Sequence, residues 1–130
     1  MDIDDFAGRC TVRQVTDLER RLKTVRKGDD GAFVLWHDRK GPSLWIHMNK
    51  NLAYMHYFPD GDGHHPGQIP TGKPCAGAKE GVRFLLVGGD EGSAIRPAPE
   101  CLVSVDTAYR TAAEFLRSPA LPPSISWLEL

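Results

Sequence analysis

The stretch that decides the fold lies at residues 44–58 and reads Leu44-Trp45-Ile46-His47-Met48-Asn49-Lys50-Asn51-Leu52-Ala53-Tyr54-Met55-His56-Tyr57-Phe58. Its first part alternates aliphatic residues with Trp45 and His47, which is the period of two typical of a β-strand. The polar run 49–51 tolerates left-handed backbone and predicts a tight turn into a second strand over 52–58. Because both strands carry apolar residues on both faces, both faces of the sheet must be covered, and we expect the helices to cover the second one.

A first helix is predicted over 17–27, upstream of these strands. An apolar stripe at helical spacing supports it: Leu18, Leu22 and Val25. Thr16 and Glu19 have the spacing of a capping box, in which each side chain satisfies a backbone N–H at the helix start. Gly28 is expected to end the helix.

A second helix is predicted over 105–117. Ser104 is its expected N-cap, and Asp106 lies in the first turn, where the helix dipole favours an acid. Pro119 restricts the residue before it and ends the helix.

Shorter strands complete the predicted architecture. They are expected at residues 32–37, 82–87, 94–96, 101–103 and 124–130. Residues 59–80, rich in glycine and proline, are predicted to be a long loop, and such loops are often functional. The order of elements favours one α+β domain over residues 1–130, a mainly antiparallel sheet with two helices packed against it.

Composition excludes several classes of protein. The 130 residues include 16 basic and 17 acidic side chains, so the formal net charge is −1 and no bulk attraction to polyanions is expected. Residues 9–27 nevertheless carry a local charge of +5. No apolar run approaches the ~20 residues of a membrane span, and residues 1–6 lack the features of a signal peptide. Three widely spaced cysteines predict no disulfide framework, so we expect a cytoplasmic protein.

Two other function classes stay open as alternatives. His64, His65 and Cys75 are potential transition-metal ligands, although adjacent histidines on a loop rarely point at one ion, and we predict neither a metal site nor a cofactor. The common nucleophile, metalloprotease and phosphate-binding motifs are absent from the sequence, so no enzymatic activity is predicted.

The other alternative is a nucleic-acid-binding module that uses the first helix. Its basic residues are Arg13, Arg20, Arg21 and Arg26. Nucleic-acid binders usually add a strongly basic domain and stacking aromatics, whereas this chain has a pI of about 6.5. A solvated helix face is therefore the favoured interpretation, and we expect no nucleic-acid partner.

The pattern as a whole resembles immunity protein family one of the bacterial polymorphic toxin systems. The similar stretches are the early helix, the hairpin Leu44–Met48 to Leu52–Tyr57, Val82-Arg83-Phe84, Val103–Ala108 through Glu114-Phe115-Leu116, Leu121-Pro122 and Ile125-Ser126-Trp127. Two departures are Ser104, where the family often has proline, and Glu129, an acid one place later than usual.

The resemblance implies that the chain inhibits a toxin by binding it. The implied partner is a cognate toxin domain, a zinc-dependent deaminase acting on nucleic acid, whose active site the protein would occlude. Because a pocket that admits nucleic acid is electropositive, we expect acidic and aromatic groups of the immunity protein to bind it and block it. The predicted toxin-binding residues are Tyr57, Phe58, Asp60, Asp62, Asp90 and Glu91.

Overall fold

The hairpin predicted over 44–58 lies at the centre of the sheet. A computed structural model describes residues 1–88 and 93–130 of the chain. Within these residues, eight strands form one antiparallel sheet and two α-helices pack against it, so the fold is α+β as predicted. The strands are β1 (Asp2–Asp5), β2 (Gly8–Thr11), β3 (Asp30–Trp36), β4 (Ser43–Asn49), β5 (Leu52–Phe58), β6 (Gln68–Pro70), β7 (Val103–Ser104) and β8 (Trp127–Glu129), and the helices are α1 (Val15–Thr24) and α2 (Val105–Arg117).

The sheet runs in the order β2-β1-β3-β4-β5-β6-β8, and β7 pairs with the start of β5. In the central hairpin, Asn49 opposes Leu52, and Lys50 takes the left-handed backbone (φ 55°) that this tight turn requires. The predicted turn is therefore confirmed.

Both helices lie on one face of the sheet, which we call the inner face. Leu18 and Leu22 of α1 and Phe115 of α2 are fully buried in one core with the inward side chains of the central strands. Helix α2 has the predicted bounds, and the hydroxyl of Ser104 accepts the N–H of Thr107 as an N-cap.

In the described part of the chain, neither α1 nor α2 covers the opposite, outer face, and here the prediction was wrong. Residues from 71–88 and 93–102 lie over part of it instead, and Phe84, Cys101 and Leu102 form a second core with Tyr54. Two polar side chains of β4 bind this segment: His47 Nδ1 lies 2.9 Å from the Leu85 carbonyl oxygen, and Asn49 donates to that of Arg83 at 2.7 Å.

These side-chain contacts explain why the strands predicted at 82–87 and 94–96 do not form. Side chains of the sheet bind the carbonyl groups of this segment, and the pairing among its described residues is a single bridge between Phe84 and Ile95. Cys101 ends a short 3-10 turn, so the strand predicted at 101–103 is displaced to β7. The loop predicted at 59–80 contains the short strand β6, and the strand predicted at 124–130 is limited to β8.

The first helix also differs from its prediction. It begins at Val15, two residues early, so Thr16 is already inside the helix, and Gln14 is an N-cap without a side-chain hydrogen bond. The expected capping box does not form there. The helix ends at Thr24 with Val25 as its C-cap, before Gly28 is reached.

The N-terminal hairpin of β1 and β2 was not predicted from the sequence. Ile3 of β1 is buried in the main core, and the buried carboxylate of Asp5 holds the guanidinium of Arg21 on α1. Among the described residues, no helix combines the length and the apolar character that crossing a membrane requires.

Candidate functional site

The uncovered part of the outer face has two rows of side chains across the central strands. One row contains Asp2, Trp36, Ser43 and Phe58, and the next contains Asp4, Val34, Trp45 and His56. Each of these side chains is partly exposed. We call the apolar part of this surface, Val34, Trp36, Trp45 and Phe58, the open outer face.

Trp36 lies at the centre of a charged cluster at one end of this face. Its indole Nε1 donates to Asp4 Oδ2 at 3.1 Å. The guanidinium carbons of Arg39 and Arg9 lie 3.9 and 5.2 Å from the centroid of its ring. Asp4 also accepts a hydrogen bond from Arg9 Nε at 2.8 Å and lies 3.6 Å from Arg39. The cluster holds both guanidiniums against the indole, where cation–π attraction adds to the ion pairs.

Trp45, Phe58 and His56 form an aromatic chain along the other part of the face. Trp45 meets Phe58 edge-on at 5.9 Å, and Phe58 stacks on His56 at 4.0 Å. The Trp45 indole N–H donates to the Ser43 hydroxyl, so the ring is held in one orientation. His56 Nε2 lies 2.7 Å from the Pro66 carbonyl oxygen, and burial lowers the pKa of this histidine. The side chains are therefore positioned by the fold itself.

A pocket of about 170 Å³ opens between the two indoles. Its lining includes Asp4, Val34, Trp36, Asp38, Arg39, Ser43 and Trp45, with two glycines at the rim, Gly41 and Gly61. Gly61 donates its N–H to the Lys40 carbonyl, and a Cβ on Gly61 would lie 2.2 Å from the Arg39 carbonyl oxygen. Only glycine therefore allows the 60–62 loop to pack against residues 39–41.

That contact brings acidic and basic loops together beside the open outer face. Asp60 Oδ1 accepts the N–H of Asp62, which shapes the loop, and the Asp62 side chain is exposed. The two rows of the face, the Arg9 contact and the adjoining loops 38–40 and 60–62 together contain five carboxylates and three basic side chains, a formal charge of −2. They are Asp2, Asp4, Asp38, Asp60 and Asp62 against Arg9, Arg39 and Lys40.

The predicted site residues are only partly brought together. Phe58, Asp60 and Asp62 lie beside one another at the end of β5. Tyr57 does not belong with them, because alternation along the strand turns it to the inner face. There it is 6% exposed, packs against Phe115 and donates its hydroxyl to the Pro119 carbonyl. The remaining two, Asp90 and Glu91, lie outside the described residues.

Trp36, Trp45, Asp4 and Arg39 were not predicted as site residues from the sequence. The sequence did contain an indication for the two tryptophans, because both alternate with buried aliphatic residues along predicted strands. Strand register decides which cross-strand neighbours share the outer face, and the short N-terminal strand that carries Asp4 was not anticipated.

The residues of the metal alternative do not converge. His64 is exposed, and His65 uses Nδ1 to accept the Gly67 N–H at 3.0 Å. Cys75 packs against the second core. Within residues 1–88 and 93–130, no group of three potential metal ligands is assembled.

The basic side chains of α1, and Arg26 just after it, are largely engaged within the fold. Arg21 makes two hydrogen bonds to the buried Asp5, and Arg20 lies 3.4 Å from Asp17. Arg26 donates to the carbonyls of Leu22 and Asp29. Arg20, Arg21 and Arg26, three of the four basic residues of the nucleic-acid alternative, therefore contact groups of the fold itself.

Comparison with known proteins adds no relative. No family model matches the chain, and no curated protein is significantly similar to it.

Proposed function

We propose that this chain is a cytoplasmic bacterial immunity protein that binds a cognate toxin through its open outer face and so neutralises it. The proposed toxin is a nucleic-acid deaminase of the cytidine-deaminase kind. The observation that carries the proposal is a positioned, partly exposed pair of indoles, Trp36 and Trp45, beside acidic loops.

The composition of this surface is that of a protein-binding interface. Such interfaces place aromatic anchors and arginine at the centre and polar groups at the rim, and a few aromatic side chains carry most of the binding free energy. Trp36, Trp45 and Phe58 would be the anchors here. They are held by hydrogen bonds and ring contacts, so binding costs little side-chain entropy.

The charge of the rim favours a basic partner. A toxin that acts on nucleic acid must present a positively charged path for phosphates. The formal charge of −2 around the open outer face complements such a path and would speed association. Asp60 and Asp62 are well placed for this role at the edge of the face. The same negative rim disfavours binding of nucleic acid itself.

Inhibition in this proposal is steric and requires no reaction by the immunity protein. An interface of standard size, roughly 800 Å² on each partner, would cover the mouth of a base-binding pocket. The zinc and the catalytic groups would belong to the toxin. The resemblance to the immunity family supports this mode of action.

The decisive experiment begins with the adjacent gene. Its product is expected to contain H-x-E and P-C-x-x-C. Purified and assayed for deamination of a cytosine-containing oligonucleotide, it should lose activity when this protein is added at equal concentration. Full activity at excess protein, with no stable complex on gel filtration, would contradict the proposal.

A further inference from the structure

The pocket on the open outer face has room for one long side chain. Its volume of about 170 Å³ is roughly that of five or six water molecules. Strand register places Val34 and Ser43 between the two tryptophans, so the pocket has an apolar and hydroxyl floor with an indole on each side. Its rim is formed by the backbone at Gly41 and Gly61 and by charged side chains.

The charges of the lining favour a cation. Asp4 and Asp38 supply two carboxylates against one guanidinium, that of Arg39. Asp4 is already paired with Arg9 and Arg39. Asp38 uses Oδ1 to accept the Lys40 N–H at 3.0 Å, whereas its Oδ2 has no hydrogen-bond partner in the part of the chain that the structure describes. An incoming cation would therefore find an available carboxylate oxygen at the rim.

The aromatic walls favour a planar cation. At Trp36, the guanidinium of Arg39 already lies 3.9 Å from the ring centroid, so stacking of arginine on indole is the packing found in this corner. Across the described residues, Trp45 has no cation against its ring. A guanidinium can stack on an indole and donate two parallel hydrogen bonds to a carboxylate at the same time, which an ammonium cannot do.

We infer that the pocket between Trp36 and Trp45 receives an arginine side chain of the toxin, stacked on Trp45 and hydrogen-bonded to Asp38. This inference rests on the proposed function, since it names the partner group that the open outer face recognises. Arginine is also the residue with which a nucleic-acid enzyme contacts phosphates, so one contact would both anchor the complex and occupy a substrate-binding group.

The test uses the full chain and a small probe in place of the toxin. The chain contains three tryptophans, so their indole N–H signals can be followed separately by NMR while N-acetyl-arginine amide is added at constant ionic strength. We expect saturable shifts for Trp36 and Trp45, with a dissociation constant on the order of millimolar. Trp127 is the internal control, because its N–H is bonded to the Pro122 carbonyl on the inner side of the sheet.

The uncharged isostere N-acetyl-citrulline amide and sodium acetate serve as competing probes. Shifts that are equal for citrulline and arginine, or larger for acetate, would overturn the inference, the latter in favour of an anion site at Arg9 and Arg39. An absence of saturable shifts with arginine would overturn it as well.

Asp38→Asn should weaken binding of the arginine probe roughly two- to fivefold, the range for an exposed ion pair. Asp106→Asn, the same change at an exposed position on α2, should leave it unaltered. If the Asp38→Asn variant and the wild type bound the arginine probe equally well, the proposed contact between arginine and Asp38 would be contradicted. Because the probe is N-acetyl-arginine amide and not the toxin, a negative result here would overturn the arginine pocket alone, and the deaminase assay would still test the proposed toxin inhibition.

Discussion

Arg21 of α1 and Asp5 of β1 form a two-point ion pair that fastens the first helix to the N-terminal strand. Nε lies 2.7 Å from Oδ2 and Nη2 lies 2.8 Å from Oδ1. The Asp5 carboxylate is fully buried, whereas a quarter of the Arg21 side chain is exposed. The hydrogen bonds that Arg21 donates to Asp5 raise the pKa of its guanidinium further, so the guanidinium stays charged.

Replacing Asp5 by alanine should destabilise the fold strongly. The guanidinium would lose both hydrogen bonds while remaining partly buried, which costs about 3 kcal/mol of the free energy of unfolding. Urea denaturation followed by circular dichroism measures this change. The matched control is Asp17→Ala, which removes the exposed partner of Arg20 and should cost less than about 1 kcal/mol. Similar losses for both variants would contradict the structural role of the buried pair.

His47 should make stability depend on pH in mild acid. Burial lowers its pKa to about 4, against 6.5 for the ordinary group. Between these values the unfolded chain binds the proton and the folded chain does not, so stability falls as pH drops from about 6.5 to 4, by up to about 3 kcal/mol. Burial also lowers the pKa of His56, so this residue adds to the change of the free energy of unfolding with pH.

The measurement is the free energy of unfolding at several pH values for the wild type, His47→Gln and His56→Gln. Glutamine does not titrate, so His47→Gln should flatten the profile most. A wild-type slope that persists in His47→Gln would show that other groups carry it. The same substitution also tests how residues 71–88 are held against the sheet, since His47 contacts the Leu85 carbonyl.

Trp45→Ala should weaken toxin binding by about tenfold to a hundredfold, the range for an aromatic anchor. Tyr109→Ala, which removes a partly buried aromatic side chain from the helix layer, should have little effect on affinity. Titration calorimetry against the toxin domain provides both values, after thermal unfolding has shown that each variant is folded. If Trp45→Ala bound the toxin as tightly as the wild type does, the open outer face would not be the interface.

Charge reversal at Asp60 and Asp62 should slow association with the toxin. Rim charges act mainly on the association rate, and we expect a decrease of about tenfold at low salt that narrows at high salt. Asp17→Lys with Asp106→Lys makes the same change of charge on the helix layer and serves as the control. Stopped-flow measurements at two ionic strengths distinguish the two pairs. Unchanged rates for the Asp60 and Asp62 variant would place the interface elsewhere.

Much of the fold could be predicted because its signals are local. Helix α2 has its N-cap at Ser104 and a terminating proline at Pro119 within its own sequence, and its bounds were predicted correctly. The central hairpin likewise has a polar turn that sets the register. Strand β1 gave no such signal, since it contains three acidic residues and depends on a contact between Asp5 and Arg21, 16 positions apart.

The site was harder to predict because the strands that form it are apolar on both faces. Nothing in the local pattern distinguishes Tyr57, which is buried under α2, from its neighbour Phe58, which is not. That distinction depends on which face the helices cover and on which part of the other face lies under residues 71–88 and 93–102. Hydrogen bonds from the His47 and Asn49 side chains to the Leu85 and Arg83 carbonyls hold the first of these stretches. Hydrophobic periodicity does not encode contacts of this kind.

The most direct test of the interface follows the three indole N–H signals by NMR while the toxin domain is added. We predict that the signals of Trp36 and Trp45 shift or broaden at equimolar toxin, and that the signal of Trp127 keeps its position. A bound complex in which only Trp127 responds, or in which none of the three does, would contradict the assignment of the open outer face as the toxin-binding surface.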